Sequence, residues 1–266
     1  MNSYIGLDSL TAQLERKILS KPYEFNIMVV GETGMGKSTF INTLFSASLL
    51  DHSKKSNPLP HSEATSSPEV PLPILSTVEI TPHHLQIDEN GVSINLTIID
   101  TPGFGDLVDN TDCWKPVLQY VQDQYANFHR LESDPKRPRK ISDTRVHVVL
   151  YFINPTGHSL KPLDIHALQA LGPICNVIPV IAKSDTLTPD EIAAFKDRIR
   201  RELKFHDIQL FPEALMKDPE WMGLGQVDLK FASYLPFSVV GSERNVLVDG
   251  KAVRGRRHHW GVVDGN

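Results

Sequence analysis

The sequence predicts an α/β domain with a mostly parallel, doubly wound sheet, one antiparallel edge strand and a phosphate-binding loop at its centre. Three observations predict it. Gly31-Glu32-Thr33-Gly34-Met35-Gly36-Lys37-Ser38-Thr39 has a glycine, four free positions and then Gly-Lys-Ser, the pattern of a P-loop. Short apolar runs at 25–30, 146–153 and 177–182 alternate with segments of helical periodicity, as in a parallel sheet with crossover helices. One pair of alternating apolar and polar runs flanks Asn90-Gly91, which reads as a β-hairpin and supplies the antiparallel edge.

The 266 residues are enough for one large α/β domain with a full core. Formal net charge is −5 and no long basic stripe stands out, so nucleic acid is not the expected partner. Cys113 and Cys175 lie far apart, each inside an apolar or helical pattern. They read as two reduced, buried thiols of a cytosolic protein, in preference to a disulfide or metal site. No segment approaches the roughly 18 consecutive apolar residues of a membrane span, and the start of the chain lacks the pattern of a signal peptide.

Taken in order, residues 1–23 form a lead-in arm with Leu10, Leu14 and Ile18 spaced by four, which predicts a short helix. The main domain is expected over 24–245. Its first strand, 25–30, feeds the phosphate loop, and Phe40, Ile41, Leu44 and Phe45 follow at helical spacing. Glycines allow the loop to turn its N–H groups toward one anion, and the helix N-terminus adds its dipole. Gly31, Thr33, Gly34, Met35, Gly36, Lys37, Ser38 and Thr39 are therefore candidate phosphate-binding residues. Lys37 is expected to reach the β- and γ-phosphates and Ser38 to bind Mg²⁺.

Residues 51–76 read as a long mobile loop. It carries Pro58, Pro60, Pro68, Pro71 and Pro73 and has no apolar period. In a P-loop GTPase the first switch lies here, just before Thr77. The hairpin's second arm ends in Asp100-Thr101-Pro102-Gly103-Phe104-Gly105-Asp106. Asp100 at a strand end is placed to hold the Mg²⁺ shell through water, and the Gly103 N–H to meet a γ-phosphate. Trp114, Val117, Leu118, Val121, Tyr125 and Phe128 mark an amphipathic helix whose aromatics are core. The basic run 136–140 reads as a solvated loop, with a weak anionic-lipid contact as its minority reading. A strand at 146–153, a loop at 155–158, a helix at 163–171, a strand at 177–182 and a helix through Ile192, Phe195, Ile199 and Leu203 follow. Ligands of such a sheet bind outside the strand carboxyl ends. Residues 206–230 are irregular, 237–240 read as a last strand, and 246–253 read as a hairpin around Asp249-Gly250.

Ala182-Lys183-Ser184-Asp185 chooses the base. The Asp185 carboxylate can accept from both N1–H and the amino group of guanine. Adenine has no proton at N1 and would leave the carboxylate unpaired, a strongly discriminating penalty. Lys183 can pack its stem over the ring. Most GTPases have Asn where this chain has Ala182.

These motifs resemble those of the septin GTPases, over nearly the whole chain. The specific marks are the phosphate loop, Asp-Thr-Pro-Gly-Phe-Gly-Asp, Gly157-His158 through Leu160-Lys161-Pro162-Leu163-Asp164, Ala-Lys-Ser-Asp, Val239-Val240-Gly241-Ser242, and Val253-Arg254-Gly255-Arg256 leading to Trp260-Gly261-Val262-Val263. Septins share the alanine at position 182, and 246–266 resemble the start of the β-hairpin-rich septin unique element. The resemblance implies a cytoskeletal subunit that binds GTP or GDP with Mg²⁺, hydrolyses GTP slowly, and pairs with itself and other septins in filaments at the cell cortex or division site. It implies that Gly241 contacts the base, Arg256 packs on the guanine and Thr77 senses the γ-phosphate as catalytic and metal-binding residue. It implies that His158 and Glu191 reach the partner subunit's nucleotide, and that Trp260 packs at the two-fold centre of that interface. Septin chains usually continue into a further helix and coiled coil, so the resemblance implies an isolated GTPase domain ending at Asn266.

Overall fold

The computed structural model describes residues 22–45, 80–89, 92–105, 110, 112–208, 210–211, 234–242, 244–248 and 251–264. The N-terminal arm, the 51–76 loop with Thr77, the expected turn residues Asn90-Gly91 and Asp249-Gly250, Asp106 and most of 206–230 lie outside the described residues.

Six strands form the main sheet: β1 (Tyr23–Gly31), β2 (Thr81–Glu89), β3 (Val92–Asp100), β4 (Val148–Ile153), β5 (Asn176–Ile181) and β6 (Phe237–Ser238). Their order is β2-β3-β1-β4-β5-β6. β1 runs parallel to β3 and β4, with Ile27 beside Ile98 and Val29 beside Leu150. Only β2 is antiparallel to its neighbour, with Leu85 opposite Leu96. The single edge hairpin on a parallel sheet is the expected architecture. Among the described residues four α-helices accompany it: α1 (Lys37–Leu44), α2 (Lys115–Ser133), α3 (Pro162–Leu171) and α4 (Pro189–Phe205).

Alternation along each strand sends side chains to opposite faces. Met28 and Val30 join Ile99, Val149, Tyr151 and Ile153 in a core closed by Val117 and Val121 of α2, Ala167, Leu168 and Leu171 of α3, and Phe195, Ile199 and Leu203 of α4. Val29, Leu96, Ile98, Phe152 and Val180 face the other way, onto Ile41 and Phe40 of α1. Burial on both faces explains why β1, β4 and β5 read as continuous apolar runs, whereas β2 at the edge alternates. The helices α2, α3 and α4 each carry a proline in their first two positions, where no backbone donor is needed.

Two strand ends fall two residues short of the sequence expectation. Val146 is buried but precedes β4; its carbonyl accepts from the Tyr125 hydroxyl at 3.0 Å instead of entering the ladder. The last strand stops at Ser238 rather than 240. Val239 bonds Ile181 O through its N–H (3.0 Å) and receives Ser184 N–H (3.1 Å), so it anchors the loop that follows β5. After it, β7 (Asn245–Val248), β8 (Lys251–His258) and β9 (Gly261–Asp264) form a separate antiparallel sheet, longer than the single hairpin expected.

Candidate functional site

The crossover order reverses at β1, between β3 and β4, which is where an open α/β sheet forms its ligand crevice. The phosphate loop leaves β1 there. Gly31 closes it on β4: an added Cβ would lie 2.8 Å from Phe152 Cβ and O. Gly36, at φ +83°, turns the chain into α1. Lys37 is buried and folds back over the loop, donating to Gly31 O (3.1 Å) and Glu32 O (3.0 Å). Ser38 Oγ donates to Asp100 Oδ2 at 2.9 Å. A hydroxyl and a carboxylate on one spot are hard oxygen donors of the kind Mg²⁺ takes, with waters completing its shell. The pair fits the ion.

The loop after β3 packs directly on the phosphate loop. A Cβ on Gly103 would fall 2.3 Å from Thr33 Cα and N. Thr33 N–H donates to Phe104 O (3.1 Å) and Phe104 N–H to Gly31 O (3.4 Å). Gly103 is thus required by close approach, besides the N–H expected to meet a phosphate. Thr101 Oγ1 donates to Val29 O at 2.7 Å, fixing this loop to β1. Sequence reasoning missed a second tie. Lys161 Nζ lies 2.7 Å from both Glu32 oxygens, and Asn154 Nδ2 lies 3.2 Å from Oε2. Lys161 caps α3, whose Asp164 accepts from Lys161 N–H and from the buried Tyr151 hydroxyl at 2.8 Å. Glu32 and Lys161 each stand in a quoted motif; only the fold brings them together.

The base-reading end is built by three segments. Lys183 adopts a left-handed conformation (φ 44°, ψ 48°) before the 3₁₀ turn Ser184–Thr186. The Asp185 side chain is 1% exposed. Its Oδ2 receives Arg256 Nη1 (3.2 Å) and His258 Nε2 (3.0 Å), while its Oδ1 is buried without a partner. Arg256 also donates Nε–H to Gly241 O at 3.0 Å. Gly241 sits against α1, where a Cβ would meet Phe40 N at 3.1 Å. Between them a cavity of about 10 Å³ is lined by Met35, Phe40, Phe152, Lys183, Gly241 and Arg256. A larger cavity, about 600 Å³, opens at the opposite ends of the strands around Asn26, Gln86, Thr97 and Asp143. It holds none of the motif residues.

His158 is exposed on the loop after β4, and Arg198 of α4 holds that loop through Gly157 O (2.9 Å) and His158 O (2.6 Å). Glu191 caps α4: its Oε2 accepts from Thr188 N–H (2.8 Å) and Thr188 Oγ1 (2.9 Å). The Thr188 backbone bond, then the hydroxyl bond, lowers the Glu191 carboxyl below its ordinary range. Trp260, 60% exposed, stacks on His258 with ring centroids 4.8 Å apart and planes 3° from parallel. Of the cysteines, Cys175 is buried and its thiol is pushed up to about 12 by that burial, while Cys113, also expected to be buried, is only half-buried; neither is in a disulfide.

Fold and site together define a P-loop nucleotide-binding domain with a buried, half-partnered carboxylate at one end of its crevice. The septin family model matches residues 21–266. The chain is 44% identical over 99% of its length to septin homolog spn2 of Schizosaccharomyces pombe, covering 76% of that protein. It is 43% identical over 98% of its length to human septin-9, of which it spans 42%. The septin GTPase domain of Chlamydomonas reinhardtii shares its fold, with a TM-score of 0.61 over 92% of this chain and 86% of that one at 22% identity. The chain belongs to the septin family, guanine-nucleotide-binding proteins of the cytoskeleton. Among the described residues no helix is long and apolar enough to cross a membrane.

Proposed function

We propose that this chain is the GTPase domain of a septin subunit that binds GTP with Mg²⁺, hydrolyses it slowly to GDP and phosphate, and assembles through its nucleotide-bearing face. What carries the assignment is Asp185, a carboxylate 1% exposed with one oxygen engaged and the other buried without a partner. Buried polar atoms are seldom left unpaired, and a guanine edge offers two adjacent donors to such a group.

The chain's own residues then have separate tasks. Lys37, Gly34 and Gly36 hold phosphate oxygens with charge and backbone N–H groups. Ser38 and Thr77 would hold Mg²⁺ directly and Asp100 through water. The ion would supply charge neutralisation at the phosphates. Lys183, Gly241 and Arg256 frame the base. Thr77 positions the attacking water, while His158 and Glu191 extend to the partner's nucleotide. In the cell we place the domain in cytoplasmic septin filaments at the cortex or division site, with residues 136–140 giving a weak contact to anionic lipid. Denaturing the purified protein and quantifying the released nucleotide tests this. A complement of guanine nucleotide, mostly GDP, is expected; its absence, with no rise in melting temperature on adding GDP, would overturn the proposal.

One observation favours a second, non-hydrolysing reading, in which GTP serves only to build the interface. Ras-type GTPases carry a water-positioning glutamine after the second-switch glycine. Phe104 stands there, is 4% exposed and packs toward Tyr151, so it orients no water. Retained GTP in the released pool, and no phosphate release over hours, would favour this alternative.

A further inference from the structure

His258 occupies a place in the base site that the motifs did not assign. Facing a carboxylate oxygen, which only accepts, its Nε2 is the protonated nitrogen. Together with Arg256 Nη1 it engages both lone pairs of Asp185 Oδ2. Guanine presents two neighbouring donors, so full recognition needs both carboxylate oxygens. Oδ1 is buried without a partner, but Oδ2 accepts a base amino group only if one of its present donors withdraws. The two donors are not equally held. Arg256 is tethered at two points, to Asp185 and, through Nε, to Gly241 O. His258 has one polar contact to Asp185, is 30% exposed along its side chain, and lies at the end of β8 where the chain turns into β9. Its withdrawal breaks one bond and returns the imidazole to water. Its ring also lies flat on Trp260, so moving it alters that stack.

We propose that His258 is a specificity-determining residue of the guanine site: it covers Asp185 Oδ2, is displaced by the base amino group, and carries that event to Trp260 through the shared stack. The inference rests on the guanine reading of Asp185 given above. It makes base occupancy and the position of Trp260 linked equilibria, in which each shifts the other by the same factor.

The test uses the full chain, stripped of nucleotide, with GDP as the probe. Three measurements are made: GDP affinity by calorimetry, the side-chain ¹H–¹⁵N resonance of His258, and the fluorescence contribution of Trp260 taken as the difference from Trp260→Phe. In the wild type, GDP should shift both the His258 resonance and the Trp260 signal. His258→Phe keeps a ring on Trp260 but removes the donor; it should bind GDP roughly three- to tenfold tighter, the factor of one lost competing hydrogen bond, and lose most of the Trp260 response. His258→Gln restores a donor and should return the affinity toward wild type. Equal or weaker GDP binding by His258→Phe, or a His258 resonance that GDP leaves unmoved, would overturn the role of His258. That outcome is distinct from failure of the guanine reading, which would appear as wild-type GDP affinity in Asp185→Asn or no GDP binding by the wild type.

Discussion

At Asp185 and Lys37 the chemistry is legible in the amino-acid order alone, because each is a charged member of a short motif whose spacing places it. Two predictions belong to these residues. Lys37→Ala removes the only positive side chain of the motif loop and leaves Gly31 O and Glu32 O without the ammonium they share. It is expected to abolish nucleotide retention; a normal guanine content in the purified variant would refute the phosphate-loop role. Asp185→Asn replaces an acceptor by a donor at the guanine edge. Losing hydrogen bonds to a buried charged group should weaken GDP binding by about 100-fold, while xanthine nucleotides, with a carbonyl at that edge, gain. Competition between GDP and XDP measures the switch. What the sequence did not disclose at this scale were partners distant in the chain. Glu32 meets Lys161 across 129 positions, and Asp185 meets His258 across 73. No local period encodes such a contact.

Elements were legible where local chemistry marks their ends. The prolines opening α2, α3 and α4 and the Thr188–Glu191 capping box stand in the sequence as written. The early stop of β6 did not, because Val239 is as apolar as a strand residue and still donates to Ile181 O of β5, while its carbonyl turns to Ser184 N–H. The cap sets a prediction. Thr188→Ala should cost about 1 kcal/mol, a fall of about 2–4 °C in melting temperature for a domain of this size. It removes the hydroxyl bond to Glu191 but keeps the backbone N–H bond at position 188, so Glu191 stays on one of its two ties as helix stability drops. At the start of β4, burial pushes the Asp143 carboxyl up, but hydrogen bonds from Arg145 and His147 outweigh it and hold the group at about 2. Its folded pKa lies below the unfolded value near 4. The stabilisation is therefore fully present above about pH 4 and is lost as pH falls toward 2. After solvent screening it amounts to about 1 kcal/mol. Asp143→Asn should melt below the wild type at pH 7, with the gap closing toward pH 2; a gap independent of pH would refute the linkage.

The whole molecule brings its loops to one end of the sheet, and it is there that assembly is to be sought. The alternation of strands and helices made the parallel sheet legible, since burial on both faces writes continuous apolar runs into the chain. The three-stranded sheet after β6 was half legible: its motif was recognised, but pairing of β8 with both β7 and β9 depends on a turn whose two central residues, His259 and Trp260, are neither glycine nor proline. That turn places Trp260 outward, 60% exposed, with Val262, 42% exposed, on the strand beyond it. Exposed apolar side chains so close to a nucleotide site suit a contact between copies better than they suit water. The domain is therefore expected to dimerise through this face and to shift toward monomer when nucleotide is stripped, because a ligand shared across an interface strengthens association by the same factor by which association strengthens its binding. Light scattering of loaded and stripped protein, with Trp260→Ala as control, measures both effects. Loaded wild type should be dimeric at tens of micromolar, roughly the range of a weak specific interface, and Trp260→Ala should move it toward monomer even when loaded. A loaded wild type that stays monomeric there would rule this face out. A dimer indifferent to both nucleotide and Trp260 would place the contact on another surface.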